Sequence, residues 1–210
     1  MGRFVFNLLI ILIIDTVAPA QTTIDFISSY NNHIDPFGKL DSIKILKMKI
    51  IAEIKYTMNS QYAEMKSEQV CEFFADAPRK CSYTNGKKIS YWDMFPVPIE
   101  FNGNGIKHQL NYVLSEESIP WLLKSMTDSI VVIEKQVSAA AKHILTFDRK
   151  SLNLLQQSTV AEERDYIGYT NFISYQNIHG IVVPKEAALE LKFANNVATA
   201  IVCYEEVEFQ

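Results

Sequence analysis

The sequence is short of the residues that break regular structure: its 210 residues include only seven glycines and seven prolines. This scarcity excludes collagen-like and low-complexity scaffolds. The hydrophobic fraction of 48% and the charged fraction of 21% are those of an ordinary globular chain, so a wholly disordered protein is also excluded. A net charge of −4 argues against nucleic-acid binding as the main task, because that task usually needs a basic surface.

Motifs of well-known chemistry are also missing. The sequence has no nucleophile elbow, phosphate-binding loop, dinucleotide-binding fingerprint or N-glycosylation sequon. Its acidic cluster, Glu162, Glu163 and Asp165, is typical of a solvated connection. No metal-ligand spacing is formed by the four histidines, which are His33, His108, His143 and His179. We therefore predict a non-enzymatic protein with no catalytic residue, cofactor or metal ion.

Long apolar runs are confined to the N-terminus. Arg3 precedes the run Phe4–Ile14, and Ala18-Pro19-Ala20 gives the small-x-small pattern of a signal-peptidase site. The run has about 11 residues, whereas a membrane-spanning helix needs roughly 20. The pattern predicts a secretory signal peptide over 1–20 and a single mature domain over 21–210, secreted or at the extracellular surface. An uncleaved signal-anchor and a buried core segment are the alternatives.

Three cysteines fit an oxidising compartment. Cys71 and Cys81 are the natural disulfide pair, because they would close a small loop. Cys203 is then either a buried free thiol or one of two cysteines in an intermolecular disulfide. A bond from Cys203 to one of the other two is a further alternative, since sequence alone does not fix connectivity.

Two long stretches carry apolar residues at steps of three and four, which predicts two long antiparallel amphipathic helices at about 39–75 and 116–158. The second keeps a seven-residue repeat over Ile119–Leu154, which is typical of a coiled-coil seam. This seam would pack against the first helix or against another copy in a homo-oligomer. Its members are Ile119, Leu123, Met126, Ile130, Ile133, Val137, Ala140, Ile144, Phe147 and Leu154.

Turn and strand signals occupy the rest of the chain. Residues 21–37 predict a short helix or an irregular lead-in. Glycine-containing turns predict a hairpin that pairs Val97–Phe101 with Ile106–Val113. Alternating apolar residues near the C-terminus predict strands, although 184–209 is also rich in good helix formers. The predicted fold class is α+β: two long helices, an intervening hairpin and a small C-terminal β-sheet. The alternative is an all-α elongated helical bundle.

Four basic residues surround Cys81: Arg79, Lys80, Lys87 and Lys88. Clustered cations attract phosphate and sulfate, so these residues form a possible anion-binding loop for a polysaccharide or a lipid headgroup. The competing interpretation is an ordinary polar loop.

These features favour an exported structural or interaction protein, such as a surface-coat, cell-wall, spore-wall or secreted host-contact component. Its expected partners are protein or polysaccharide surfaces, with peripheral membrane contact possible and no nucleic acid. One alternative is a membrane-active protein, lipid-binding or pore-forming, whose amphipathic helices separate and insert. A second alternative is a secreted hydrolase whose carboxylates or histidines are brought together by the fold.

Overall fold

The computed structural model describes residues 22–58, 60–85, 105–113, 119–161 and 165–210, and most of them belong to one antiparallel β-sheet. Residues 22–34 form helix α1, Lys39–Ser42 a 3-10 turn (η1) and Ile106–Gln109 a one-turn helix (α2). The ten strands are β1 (Ile45–Met58), β2 (Gln61–Phe74), β3 (Lys80–Asn85), β4 (Leu122–Met126), β5 (Ile130–Ser138), β6 (Ala141–Asp148), β7 (Leu154–Ala161), β8 (Tyr166–Ile178), β9 (Ile181–Phe193) and β10 (Asn196–Phe209).

The order of the strands across the sheet is β3-β2-β1-β10-β9-β8-β7-β6-β5-β4. Each pair in this order also follows in sequence, except where β10 returns to pair with β1. The predicted α+β class is therefore wrong, and so is its all-α alternative. The strands expected near the C-terminus are present, but they belong to the large sheet and not to a small separate one.

The stretch predicted as the first long helix, about 39–75, is the hairpin β1–β2. The buried residues of β1 are separated from one another by two or four positions: Leu46, Met48, Ala52 and Ile54. Charged residues occupy several of the positions between them. A step of four residues satisfies both a helix and a strand, so only the intervening residues distinguish the two. The helix was wrongly predicted because those intervening residues were given too little weight.

The stretch predicted as the second helix, about 116–158, contains the four strands β4–β7 among its described residues. The proposed seam does not share one face, because Ile133 and Phe147 are fully buried while Ile130 and Val137 are each 38% exposed. The described part of this stretch forms no coiled coil, and the homo-oligomer predicted through Ile119–Leu154 loses its basis. The second half of the predicted hairpin is also wrong, since Ile106 begins α2.

Tight turns link the last three strands. His179 and Gly180, with φ of 53° and 92°, join β8 to β9. Positive φ at both central residues matches the twist of a two-residue hairpin, and glycine accepts it without strain. Ala194, with φ of 50°, lies in the corresponding turn between β9 and β10. These turns keep the three longest neighbouring strands of the C-terminal half in register.

Helix α1 packs on one side of the sheet through Phe26, Ile27, Tyr30 and Ile34, whose spacing places them on one helical face. The rings of Phe26 and Tyr30 lie 5.1 and 4.7 Å from that of Phe147 in β6. The same buried cluster includes residues of α2, β1, β2, β5, β7 and β9. This side of the sheet, defined by the residues that share a face with Phe147, is the inner face.

The sheet curls around the helical layer. Ten strands laid flat would span about 43 Å, whereas a helix of the length of α1 covers roughly 20 Å. One contiguous cluster nevertheless joins residues from β2, near one edge, to residues from β5, near the other. Bulges that bend strands are present where β1 meets β10 and where β8 meets β9. The inner face is therefore the enclosed side of a rolled, open sheet.

Side-chain hydrogen bonds fix the position of α1. The amide of Asn31 donates to the carbonyl of Val113 at 2.7 Å and accepts from the Val113 N–H at 3.0 Å. The hydroxyl of the fully buried Tyr30 donates to the carbonyl of Asn111 at 3.0 Å. After the helix, the carboxylate of Asp35 accepts the N–H groups of Lys39 and Leu40 at 2.9 and 2.7 Å. These bonds tie α1 to the segment after α2 and organise η1.

Cys71 and Cys81 are disulfide-bonded, which is the pairing predicted from the sequence. They face each other across β2 and β3, so the bond ties the edge strand to the sheet. Cys203 is free and half-buried on the opposite side of the sheet from Phe147. Burial, and then the carboxylates of Glu186, Glu205 and Glu53, raise the pKa of its thiol.

We expect Asn31→Leu to lower the free energy of unfolding by about 2–4 kcal/mol. The substitution removes both bonds to Val113, whose backbone groups stay buried without partners. Asn32→Leu, at the exposed neighbouring position, is the control and should change stability by less than about 0.5 kcal/mol. Urea denaturation followed by circular dichroism measures both, and equal losses would contradict the role given to Asn31.

We expect the double variant Cys71→Ala/Cys81→Ala to lose about 3 kcal/mol of stability. The disulfide closes a loop with a sequence separation of 10, and this restriction of the unfolded chain is lost. The size of the change is measured by urea denaturation, with Cys203→Ala as the control that leaves the bond intact. A double variant as stable as the parent would show that β3 is held by its ladder alone.

Candidate functional site

A large part of the inner face lies beyond the helices. Two further buried clusters on this face consist entirely of strand residues, with no residue from α1, η1 or α2. We call their combined area the strand-only surface. Its buried members are Ala52, Ile54, Ala161, Tyr166, Ala198, Ala200 and Val202, and its partly buried members are Ile50, Tyr56, Met65, Ala141, Leu189, Leu191, Phe193 and Tyr204.

The strand-only surface carries no charged side chain, whereas the outer face of the same strands is rich in ion pairs. On the outer face, Lys49 lies 2.8 Å from Glu68, Lys66 lies 3.0 Å from Glu53, and Lys192 pairs with Glu190 at 2.7 Å. The alternation gives the sheet one apolar side and one charged side. Only the apolar side near one end of the strands is needed for packing α1.

The strand-only surface includes several small side chains. Ala198 and Ala200 of β10 lie opposite Tyr56 and Ile54 of β1 in the ladder. On β8, Gly168 lies beneath Tyr166, whose hydroxyl is 2.7 Å from the place a Cβ would occupy. Burial raises the pKa of Tyr166 to about 12, which marks an environment that disfavours charge. The strands thus provide an apolar surface in which small side chains alternate with large ones.

A row of polar groups enters the inner face near the β4 edge. Lys135 of β5 is opposite His143 of β6, which is opposite Thr159 of β7. His143 Nδ1 lies 2.9 Å from the Thr159 hydroxyl, and Lys135 Nζ lies 4.9 Å from the centre of the Trp121 ring. Trp121 Nε1 is buried and has no hydrogen-bond partner among the residues that the structure describes. We call these four residues the polar row.

The predicted anion-binding loop is only partly within the described residues. Arg79 and Lys80 are exposed, and Lys80 Nζ lies 5.4 Å from the Phe74 ring centre. Lys87 and Lys88 lie outside the described residues, as does the predicted signal peptide over 1–20. Anion binding by this loop therefore stays a prediction.

The other histidines and acids are dispersed. His33 Nε2 contacts Asn153 Oδ1 at 3.1 Å, and His179 lies in the turn before β9. His108 belongs to α2. Glu162 and Glu163 lie outside the described residues, and Asp165 is exposed. No group of three or more His, Cys, Asp or Glu side chains suited to a metal ion occurs in the described part of the chain.

Sequence reasoning missed both the strand-only surface and the polar row. The signal for the first was the alternation of uncharged and charged residues through β1 and β2. The polar row had no local signal, because its four residues come from four segments that only the sheet brings side by side. In the described segments, every helix is too short or too polar to cross a membrane.

Comparisons with known proteins identify the fold. No protein-family model matches the sequence, and no curated protein is significantly similar to it. Two crystal structures share the arrangement with TM-scores of 0.53. One is a DUF1329 family protein from Desulfovibrio piger, 9% identical, with 91% of this chain and 93% of that chain covered. The other is a LolA superfamily protein from Nitrosomonas europaea, 8% identical, with 91% and 94% covered. At these identities the similarity establishes the fold alone.

Proposed function

We propose that this protein is an exported, non-enzymatic lipid-binding protein that holds an acyl chain on its strand-only surface. The observation that carries the proposal is the extent of uncharged inner face beyond the helices. From Met48 to Tyr56 the inner side of β1 continues without a charge for about 26 Å, while the residues of α1 pack only near its beginning.

The energetics favour an apolar ligand of this kind. Each buried methylene contributes about 0.8 kcal/mol, so an acyl chain gains affinity along its length on a surface without charged groups. Part of that gain is offset by ordering the chain. Lipophilic pockets are generally lined by apolar and aromatic side chains, and Ile54, Tyr56 and Leu189 are of that type.

Export is supported by the sequence of residues 1–20 and by the Cys71–Cys81 disulfide, a bond that persists in oxidising compartments. The expectation of a structural coat protein rested in part on the coiled-coil seam, whose described residues form strands. Pore formation through the two long amphipathic helices loses its basis for the same reason. A host-contact role and a secreted hydrolase remain predictions from the sequence only.

The test is binding of an anthroyloxy-labelled palmitate probe to the chain 21–210. We expect saturable binding that Ala200→Phe weakens by about tenfold or more. A phenyl ring at this position adds bulk beside Ile54 and Leu189, its partners across β1 and β9. Fluorescence titration gives the dissociation constants.

Thr199→Phe is the matched control, because Thr199 is the exposed neighbour on the outer face. It should bind the probe as the parent does, and thermal unfolding should show that both variants are folded. The proposal fails if the parent does not bind the probe. It also fails if Ala200→Phe and Thr199→Phe bind the probe with equal dissociation constants.

A further inference from the structure

The polar row lies in the same transverse line as the strand-only surface. Thr159 is opposite Gly168 of β8, which is opposite Leu191 of β9. Leu191 is opposite Ala198 of β10, and Ala198 is opposite Tyr56 of β1. One line across the inner face is therefore polar from β5 to β7 and uncharged and largely apolar from β8 to β1. Such a line matches an amphiphile with a polar group at one end.

The chemistry of the polar row specifies the sign of the charge on the polar group that it would bind. Lys135 is a cation with donors only, and Trp121 Nε1–H is a donor only. The Trp121 donor is buried and unpaired within the described residues, a state that costs free energy until an acceptor arrives. When the Thr159 hydroxyl donates to His143 Nδ1, the proton of that imidazole is on Nε2. Donors gathered around a positive charge favour an anionic acceptor.

The position of Lys135 is set by its neighbours. Its ammonium lies over the face of Trp121 at 4.9 Å from the ring centre, a favourable cation–π contact, and its strand is anchored by the fully buried Ile133 two residues earlier. Thr159 is buried and the other three residues of the row are half-buried. The row borders the apolar area, where electrostatic interactions are stronger than in bulk water.

We propose that Trp121, Lys135, His143 and Thr159 form the head-group site of the bound lipid, and that the ligand is a single-chain amphiphile ending in a carboxylate or a phosphate. This inference rests on the proposed lipid-binding function and adds the class and the orientation of the ligand. The anionic group binds the polar row, and the acyl chain crosses β8, β9 and β10 toward Tyr56.

The first test compares three probes of equal chain length: palmitate, 1-palmitoyl lysophosphatidic acid and hexadecanol. We expect the parent chain 21–210 to bind at least one of the two anions about tenfold or more tightly than hexadecanol. The tighter of the two anions shows whether a fatty acid or a phospholipid supplies the head group. Lys135→Gln should abolish the preference for the anion, because it should weaken binding of the anions about tenfold or more relative to binding of hexadecanol.

Lys142→Gln is the matched control. Lys142 is adjacent to His143 in sequence but has its side chain on the outer face, and the variant makes the same change of charge. It should retain the preference for the anion. Equal binding of all three probes by the parent, or equal loss in both variants, overturns the head-group site while the lipid-binding function stands. If the parent binds none of them, both proposals fail.

The second test measures orientation by fluorescence quenching. The chain has two tryptophans, so Trp92→Phe leaves Trp121 as the single emitter. Bromine quenches on contact, and we expect 2-bromopalmitate to quench Trp121 more strongly than 16-bromopalmitate at equal occupancy. Stronger quenching by the 16-bromo isomer would show that the ligand lies in the opposite orientation and would overturn the proposal. This test does not use Lys135→Gln, so a loss of stability in that variant does not affect it.

Discussion

The contact of Phe26 and Tyr30 with Phe147 is the interaction on which the rest of the structure depends. It brings α1 onto one side of the sheet and so decides which side is enclosed. Tyr30 is fully buried, and its hydroxyl is satisfied by the carbonyl of Asn111, so the helix is fixed by both packing and a specific hydrogen bond. Burial, with a smaller contribution from Tyr175, raises the pKa of this phenol well above its usual value, which keeps it neutral.

Once α1 occupies one end of the inner face, the remainder of that face has no helical cover among the described residues. The same alternation that gives β1 its apolar side continues past the helix, and it leaves Ile54 and Tyr56 beside the alanines of β10. These residues form two further clusters of the hydrophobic core, built from strands alone. The proposed ligand would lie against the partly buried members of these clusters, such as Tyr56 and Leu189.

The sequence allowed some of this structure to be predicted and obscured the rest for a definable reason. The disulfide followed from the spacing of Cys71 and Cys81, and the C-terminal strands followed from alternation. The two long hairpin regions were mistaken for helices because Leu46, Ile50 and Ile54 are four residues apart, a spacing common to both structures. Lys47, four residues after Ile43 and three before Ile50, would have placed a charge on the apolar face of that helix, and this was the local sign of the error. The polar row was beyond prediction, because Lys135, His143 and Thr159 meet only through the register of three strands.

The most direct test of the central claim, that the inner face holds an acyl chain, is photocrosslinking with a diazirine-labelled palmitate followed by peptide mapping. The account predicts labels at inner-face positions of β1, β9 and β10, such as Tyr56, Leu189 and Ala198. Labels concentrated instead on exposed outer-face residues, such as Ile201 and Val197, would contradict it.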